Sequence, residues 1–550
     1  AQGRIAFASQ SGALLSAILD WAVFQGIGFS KVVSLGNKAD VSEIDLIKSW
    51  RTDPTSKVVA AYLEGVTNGQ EFMRAAKEIT KVKPLLVFKS GTTAAGSRAV
   101  SSHTGTLAGS EASYVAAFRQ CGVIRPSSVS ELFDLAIAFA QQPLPAGRRI
   151  AIVTNAGGPG IIATDAAEKN QLRLAAFTPE TIANMRAKLP ATASVYNPVD
   201  IIGDARTDRY AVAIDAVLKD PGVDGLIVLL TPQAVTEPKE TAQLIASYSG
   251  KTRKPILTSF IGGAALQDAL KVLREAGVPN YDFPEGAIAA FKAMVDHKEW
   301  REKPIEQPAR FIVNSDLALE SIADTRKLGR TTLGLEAMDL LEAYGFTVPQ
   351  SGIARTPDDA ARLATDIGFP VVMKIVSPEI LHKSDVGGVR VGVRNAEEVR
   401  EAFVSIVASS QRYVPQAHIE GVFIQEMVKP GREVILGASY DGQFGHLLMF
   451  GLGGIYVEVM RDVVFRVAPL TMSDAREMVN EIRSAALLRG VRGQPPADID
   501  AIVHALLRLS QLVTDFPEIT ELDVNPLVVY PNGEGAVAVD SRIALSAPRS

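Results

Sequence analysis

A short apolar run, a glycine turn and a helical stretch occur twice in this chain with nearly the same spelling. That repeat limits the possible folds more than any other feature. Residues 4–9 (RIAFAS) pass through Gln10, Ser11 and Gly12 into a helical pattern over 13–24. Residues 149–154 (RIAIVT) pass through 155–160 (NAGGPG) into a helical pattern over 161–170. A strand that feeds a helix through a tight turn is the unit of a parallel sheet, so two related α/β domains are expected. Further β-type runs at 57–63, 84–89, 225–230 and 255–260 alternate with helical stretches and extend both sheets. The segment 140–148 (AQQPLPAGR) reads as the boundary between a domain over 1–143 and a second over 144–303.

The last third has a different grammar. Residues 300–330 carry Lys303-Pro304, Gln307-Pro308 and mixed charge, and a linker is read over 304–330. An amphipathic helix is predicted over 335–344. Strand patterns at 432–440 and 446–451 then flank Asp441-Gly442, a hairpin signal, and runs at 454–460 and 465–469 continue the meander. An α+β domain with antiparallel strands is expected over 331–550.

Composition excludes several classes. The 550 residues carry 56 Lys and Arg against 61 Asp and Glu, a net charge of −5, which argues against a nucleic-acid-binding protein. Hydrophobic residues make up 47%, yet no apolar run approaches the roughly 18–20 residues needed to span a bilayer, so no membrane partner is expected. The one cysteine, Cys121, excludes a disulfide framework and fits a reducing, cytoplasmic compartment. No secretory signal is expected, since no charged and apolar leader pattern stands at this end. It begins at Ala1 on a strand already in mid-fold, and a longer natural chain at this end is expected.

Two of the six histidines sit in loops of small residues. His103 lies in SSHTGT and His382 opens HKSDVGG. A loop histidine is often simply solvated; the sharper reading is that both are nucleophiles towards phosphoryl groups. Neutral imidazole is nucleophilic near neutral pH, and a covalent phosphohistidine divides one hard transfer into easier ones. The two glycine turns fit that chemistry. Ser11 and Gly12, and likewise Gly157, Gly158 and Gly160, stand where free N–H groups and the positive end of a helix meet an anion. A tight strand-to-helix turn uses the same residues. Glu64 follows a strand and could accept from an imidazole N–H, fixing its tautomer; an exposed glutamate is the plain alternative.

In the last third, Lys374 closes the strand pattern 370–375, a suitable place for a cation on ATP phosphates. Asp523 and Asn525 alternate along an extended segment and so share a face. Asp540 follows the turn Pro531-Asn532-Gly533, and a hairpin would return it beside Asn525. Such oxygen ligands suit Mg²⁺ shared with nucleotide phosphates. Arg461, near the GLGG turn at 451–454, is a candidate to stabilise a transferring phosphoryl group. No GxxxxGK[ST] sequence occurs, so a P-loop kinase is not indicated.

Taken together, SQSGAL at 9–14, SLGNKAD at 34–40, SHTG at 102–105, NAGGPG at 155–160, NPVD at 197–200, HKSDVGG at 382–388 and LDVNPL at 522–527 resemble the ADP-forming (NDP-forming) acyl-CoA synthetases, relatives of succinyl-CoA synthetase. The resemblance implies two flavodoxin-like parallel-sheet domains followed by an ATP-grasp domain. It implies the reversible reaction of a carboxylic acid, ATP and CoA to acyl-CoA, ADP and phosphate, through an acyl phosphate and a phosphohistidine. His103 would be the central phosphohistidine, Glu64 its steadying partner, and His382 a second histidine that ferries the phosphoryl group. Lys374, Glu426 and Arg461 would contact the nucleotide, and Asp523, Asn525 and Asp540 would hold Mg²⁺. The family's CoA-binding domain is expected ahead of Gly3, on the same chain or a separate one, and a homodimer is the default assembly. The alternative is the synthetase-like regulatory region of a protein lysine acetyltransferase.

Overall fold

The computed structural model describes residues 2–93, 110–334, 336–380, 383–453, 462–491 and 493–547. The chain forms two compact units, Ala1–Ile305 and Glu306–Ser550.

The first unit holds two parallel sheets. Strands β1 (Gln2–Ser9), β2 (Phe29–Ser34), β3 (Val58–Leu63) and β4 (Leu85–Lys89) lie in the order β2-β1-β3-β4. Strands β5 (Arg149–Thr154), β6 (Arg173–Leu174), β7 (Val199–Asp200), β8 (Gly225–Leu230) and β9 (Ile256–Phe260) form the second, in the order β6-β5-β8-β9, with β7 also on β5. Each sheet gains one further parallel bridge past its last strand, Leu86 with Ile124 and Thr258 with Asn280. The repeat in the sequence is thus a repeat of topology. β8 reads GLIVLL and is buried throughout, as strands covered by helices on both faces must be.

The two sheets share one core. Ile5, Phe7, Val58 and Leu86 from the first belong to the same buried cluster as Ile150, Ile152, Ile227 and Leu257 from the second. Helices Val129–Gln141 and Pro284–Glu302 contribute Leu132, Phe133, Phe291 and Met294 to it. The long C-terminal helix also reaches back through Trp300. Its indole N–H donates to Thr80 at 2.9 Å and it packs on Gly122, whose φ is +64°.

The second unit has strands β10 (Thr332–Leu333), β11 (Ser351–Ala354), β12 (Val371–Val376), β13 (Val389–Val393), β14 (Gly421–Glu426), β15 (Arg432–Asp441), β16 (Gly445–Leu452), β17 (Val463–Val467), β18 (Ile519–Val529), β19 (Ala536–Ala538) and β20 (Ser541–Leu545). Four form an antiparallel sheet in the order β11-β14-β12-β13. The other seven form a sheet ordered β10-β20-β18-β15-β16-β17, with β19 on β18. The expected β15–β16 hairpin is present, from Val434 opposite Leu452 to Asp441 opposite Gly445.

Several expectations shift. Gly157–Lys169 is one helix with Ala156 as its N-cap, so the GGPG residues are its first turn and not a loop before it. The segment 304–330 has the prolines and charge of a linker. It contains the helix Ser315–Lys327, which is capped by Asn314 and buries Ala318 and Ile322 in the second unit's core. Its apolar stripe is narrow, and exposed charge conceals it. Lys374 lies inside β12 and does not end it. The predicted strand at 454–460 and the first residue of the predicted helix 335–344 lie outside the described residues; the helix runs Glu336–Ala343.

Candidate active site

In the order β2-β1-β3-β4 the chain places β2 on one side of β1 and β3 on the other. A crevice opens at the carboxyl ends of strands where the winding reverses. The turn after β1 and the turn after β3 meet there. After β1, Ser9 Oγ accepts from the Ser11 N–H at 3.2 Å and donates to the Ser11 carbonyl at 2.8 Å. Ser11 then caps the helix Gly12–Gln25, accepting from the Leu14 N–H at 3.3 Å. After β3 comes Glu64. Gln10, a buried residue of the first turn, joins the two: its Oε1 accepts from the N–H groups of Glu64 at 2.8 Å and Gly65 at 3.3 Å. Ser11, Gly12 and Glu64 are therefore brought together.

The Glu64 turn is supported from further elements. The Val66 N–H donates to the Tyr114 hydroxyl at 3.1 Å. Lys89, the last residue of β4, is 4% exposed and its ammonium lies 4.7 Å from the Tyr114 ring centroid. Burial pushes Lys89 down to about 8; Glu111 and Glu64 oppose that shift, and Arg125 and Lys38 add to it.

The second sheet repeats the device. Thr154 ends β5, and its hydroxyl accepts from the Ala156 N–H at 3.1 Å and donates to the Ala156 carbonyl at 2.8 Å, as Ser9 does. β5 also stands at a reversal, between β7 and β8. The N–H groups of Gly157 and Gly158, at the helix start, have no intrahelical partner. Gly158 is open, with no atom within 4 Å of a Cβ built on it. Gly160 differs from the expectation for a phosphate cradle. Its N–H donates to the Ala156 carbonyl at 3.4 Å, inside the helix. A Cβ there would stand 3.1 Å from the Thr154 methyl, so glycine at 160 serves close packing. A pocket of about 320 Å³ lies against this helix start, lined in part by Thr154, Gly157, Ile161, Pro198 and Asp200.

In the second unit, alternation along β12 sends Val371, Met373 and Ile375 into the helix-covered core and Lys374 to the other face. Lys374 is opposite Phe423 of β14, which puts Phe423 and Gln425 on the same face as Lys374. That face meets the seven-stranded sheet. Lys374 Nζ is 3.5 Å from Asp540 Oδ2, and the buried Gln425 amide donates to the Val539 carbonyl at 2.9 Å. Asp540 lies beside Asn525 as the hairpin reading expected, with the Asn525 N–H donating to the Asp540 carbonyl at 3.1 Å. Burial raises Asp523 above the usual carboxylate range. Its neighbours Glu521 and Asp540 raise it further, and Arg542 pulls it back. Among the described residues no group of three or more His, Cys, Asp or Glu forms a metal cage. Glu426 is opposite Val371, on the other face of β14 from Phe423, and its carboxylate accepts from the Gln350 N–H at 3.3 Å. It does not join the Lys374–Asp540 group. His103, His382 and Arg461 lie outside the described residues.

Three family models cover nearly the whole chain. A succinyl-CoA ligase-like flavodoxin domain matches residues 2–139, a ligase-CoA domain 150–302 and an ATP-grasp domain 324–545. The chain is 43% identical over 545 residues to the acetate–CoA ligase [ADP-forming] I of Archaeoglobus fulgidus, covering 99% of this chain and 78% of the relative. The chain belongs to the ADP-forming acyl-CoA ligases. The 4-hydroxybutyrate–CoA ligase [ADP-forming] of Nitrosopumilus maritimus is also 43% identical, over 550 residues, with the same two coverages of 99% and 78%. Among solved structures, the dinucleotide forming acetyl-coenzyme A synthetase 1 of Ca. Korarchaeum cryptofilum, in complex with phosphate and ADP, is 38% identical, with a TM-score of 0.52. That match covers 55% of this chain and 66% of the other. In this ADP-forming ligase, the groups that sequence reasoning missed are Ser9, Gln10, Thr154, Lys89 and Gln425. The matching hydroxyls at positions 9 and 154, each ending a strand of the repeat, were a signal available beforehand. The others act across long stretches of chain.

Proposed function

We propose that this chain is the catalytic core of an acid–CoA ligase: carboxylic acid, ATP and CoA yield acyl-CoA, ADP and phosphate, reversibly, through an acyl phosphate and a phosphohistidine. The observation that carries this reading is the near full-length relationship to ADP-forming acid–CoA ligases, spanning both α/β domains and the ATP-grasp domain in one order. The same relationship favours ligation over a regulatory role in a protein acetyltransferase.

In this reading Lys374 binds the nucleotide phosphates as a point charge. Glu426, at the end of β14, is assigned to the nucleoside side, and Arg461 to the transferring phosphoryl group. Asp523, Asn525 and Asp540 hold Mg²⁺, for which the raised Asp523 carboxylate and its acidic neighbours are a fitting environment. Bound there, Mg²⁺ supplies charge neutralisation on the phosphate oxygens. His382 receives the phosphoryl group and carries it to His103, because phosphoryl transfer demands in-line contact. Glu64 accepts an N–H from the His103 imidazole, which leaves the other ring nitrogen as the nucleophile. The helix openings at Ser11 and Gly12, and at Gly157 and Gly158, direct N–H groups at the phosphoryl oxygens. His103 then passes the group to the substrate carboxylate, and the thiol of CoA displaces phosphate from the acyl phosphate. No described helix is long and apolar enough to cross a membrane. A cytoplasmic homodimer, or a core completed by a separate CoA-binding domain, belongs to the same proposal.

Incubation with γ-labelled ATP and Mg²⁺ tests it. An acid-labile, base-stable phosphoprotein is expected, with labelling altered by His103→Ala and by His382→Ala. Absence of label on either histidine would reject the reading.

A further inference from the structure

The Glu64 turn is also held from the β2 side, by a buried ion pair to which the relay assigns no task. Lys38 follows β2 and has φ +56°, a region costly for a side chain other than glycine, asparagine or aspartate. Its side chain is only 8% exposed. Nζ lies 2.8 Å from Glu43 Oε2 and donates to the Gly65 carbonyl. Glu43, 2% exposed, opens the helix Glu43–Arg51 and accepts from the Thr67 N–H at 2.7 Å and the Thr67 hydroxyl at 3.3 Å. Lys38 therefore gathers the β2 loop, a helix start and the 64–67 turn into one body. Gln10 holds the Glu64 and Gly65 N–H groups of the same turn.

A strained backbone that carries a buried charge to a single carbonyl is an expensive way to close a surface turn. It suits a place where the direction of a side chain matters. We propose that Lys38, neutralised by Glu43, is a positioning residue for Glu64: by holding the Gly65 carbonyl it fixes where the Glu64 carboxylate points in the crevice between β1 and β3. This rests on the reading of Glu64 as the group that orients the phosphorylated imidazole.

Three variants separate this role from a merely structural one. Lys38→Met alone leaves Glu43 buried and unpaired and is expected to lower the melting temperature. The double variant Lys38→Met/Glu43→Gln removes both charges and is expected to recover most of that loss. If Lys38 positions Glu64, the double variant still forms phosphoprotein at least tenfold more slowly than the wild type, with unchanged affinity for ATP. Adding Glu64→Gln to it then slows labelling no further, because both changes remove the same interaction. Labelling that returns to the wild-type rate along with stability would overturn the inference. So would a full additional slowing by Glu64→Gln. If Glu64→Gln alone leaves labelling unchanged, the assignment of Glu64 itself fails, a different result from either.

Discussion

Gln10→Met tests how the two turns of the first sheet are joined. Methionine keeps the length and burial of the side chain and removes the acceptor. Two N–H groups then lose their partner, that of Glu64 at 2.8 Å and the buried one of Gly65 at 3.3 Å. The net loss of an ordinary hydrogen bond is about 1 kcal/mol, and a buried donor left unsatisfied costs about 1–3 kcal/mol. The shorter bond is partly buried and is assigned the lower figure. The longer bond is weaker, but its donor is fully buried, so it is assigned the middle of the range. The sum is about 3 kcal/mol, concentrated on this turn. Native-state hydrogen exchange reads that locally. A loss of about 3 kcal/mol speeds exchange at the Glu64 and Gly65 amides roughly 150-fold, while amides in the second unit stay as they were. Phosphoprotein formation should slow in parallel. Gln10→Glu restores an acceptor and should recover the protection, but it sets a second negative charge beside Glu64. Unchanged protection at both amides in Gln10→Met would refute the view that Gln10 joins the turns.

Three further outcomes are expected. Lys374→Met should weaken ATP binding tenfold or more by calorimetry and change stability by less than about 1 kcal/mol, because its partner Asp540 is 57% exposed and such pairs contribute little. His297 is buried against Phe139 with neither ring nitrogen partnered among the described residues; burial, then Arg301 and Lys81, push it down to about 3 from 6.5. The unfolded chain thus binds the proton first: stability is complete above pH 6.5 and falls as pH drops from there towards 3, by about 2 kcal/mol at pH 5, a slope that His297→Phe should reduce in melting curves. Gly122→Ala would place a methyl 2.2 Å from the Trp300 indole nitrogen at a φ of +64°; a loss of about 2–4 kcal/mol is expected from strain and displacement of the ring, and an unaltered melting temperature would count against the packing described.

Much of this protein follows from neighbours in the chain. Runs such as GLIVLL at 225–230 are short enough to be buried strands, as the structure has them, and the β15–β16 hairpin follows from Asp441-Gly442 between apolar runs. The return of Asp540 to Asn525 belongs to the same class, since a turn a few residues before Asp540 sets its direction. Local signals overlap elsewhere in the chain. Glycines that look like a loop are the first turn of a helix at Gly157, because helix starts and tight turns favour the same residues. The helix Ser315–Lys327 was hidden by exposed charge over a narrow buried stripe.

The strand-to-helix repeat, the alternation along β12 and the change to antiparallel pairing after residue 330 are consequences of short-range pattern, and the residues that form them carry the information themselves. Which turns meet is a matter of winding order. Gln10 reaches Glu64 because β2 and β3 lie on opposite sides of β1, and Lys38 reaches Gly65 because the loop after β2 folds over that reversal. Nothing near Gln10 or Lys38 in the chain marks them out. Their partners come from other elements, and burial sets the strength of those bonds, so both depend on the completed tertiary packing.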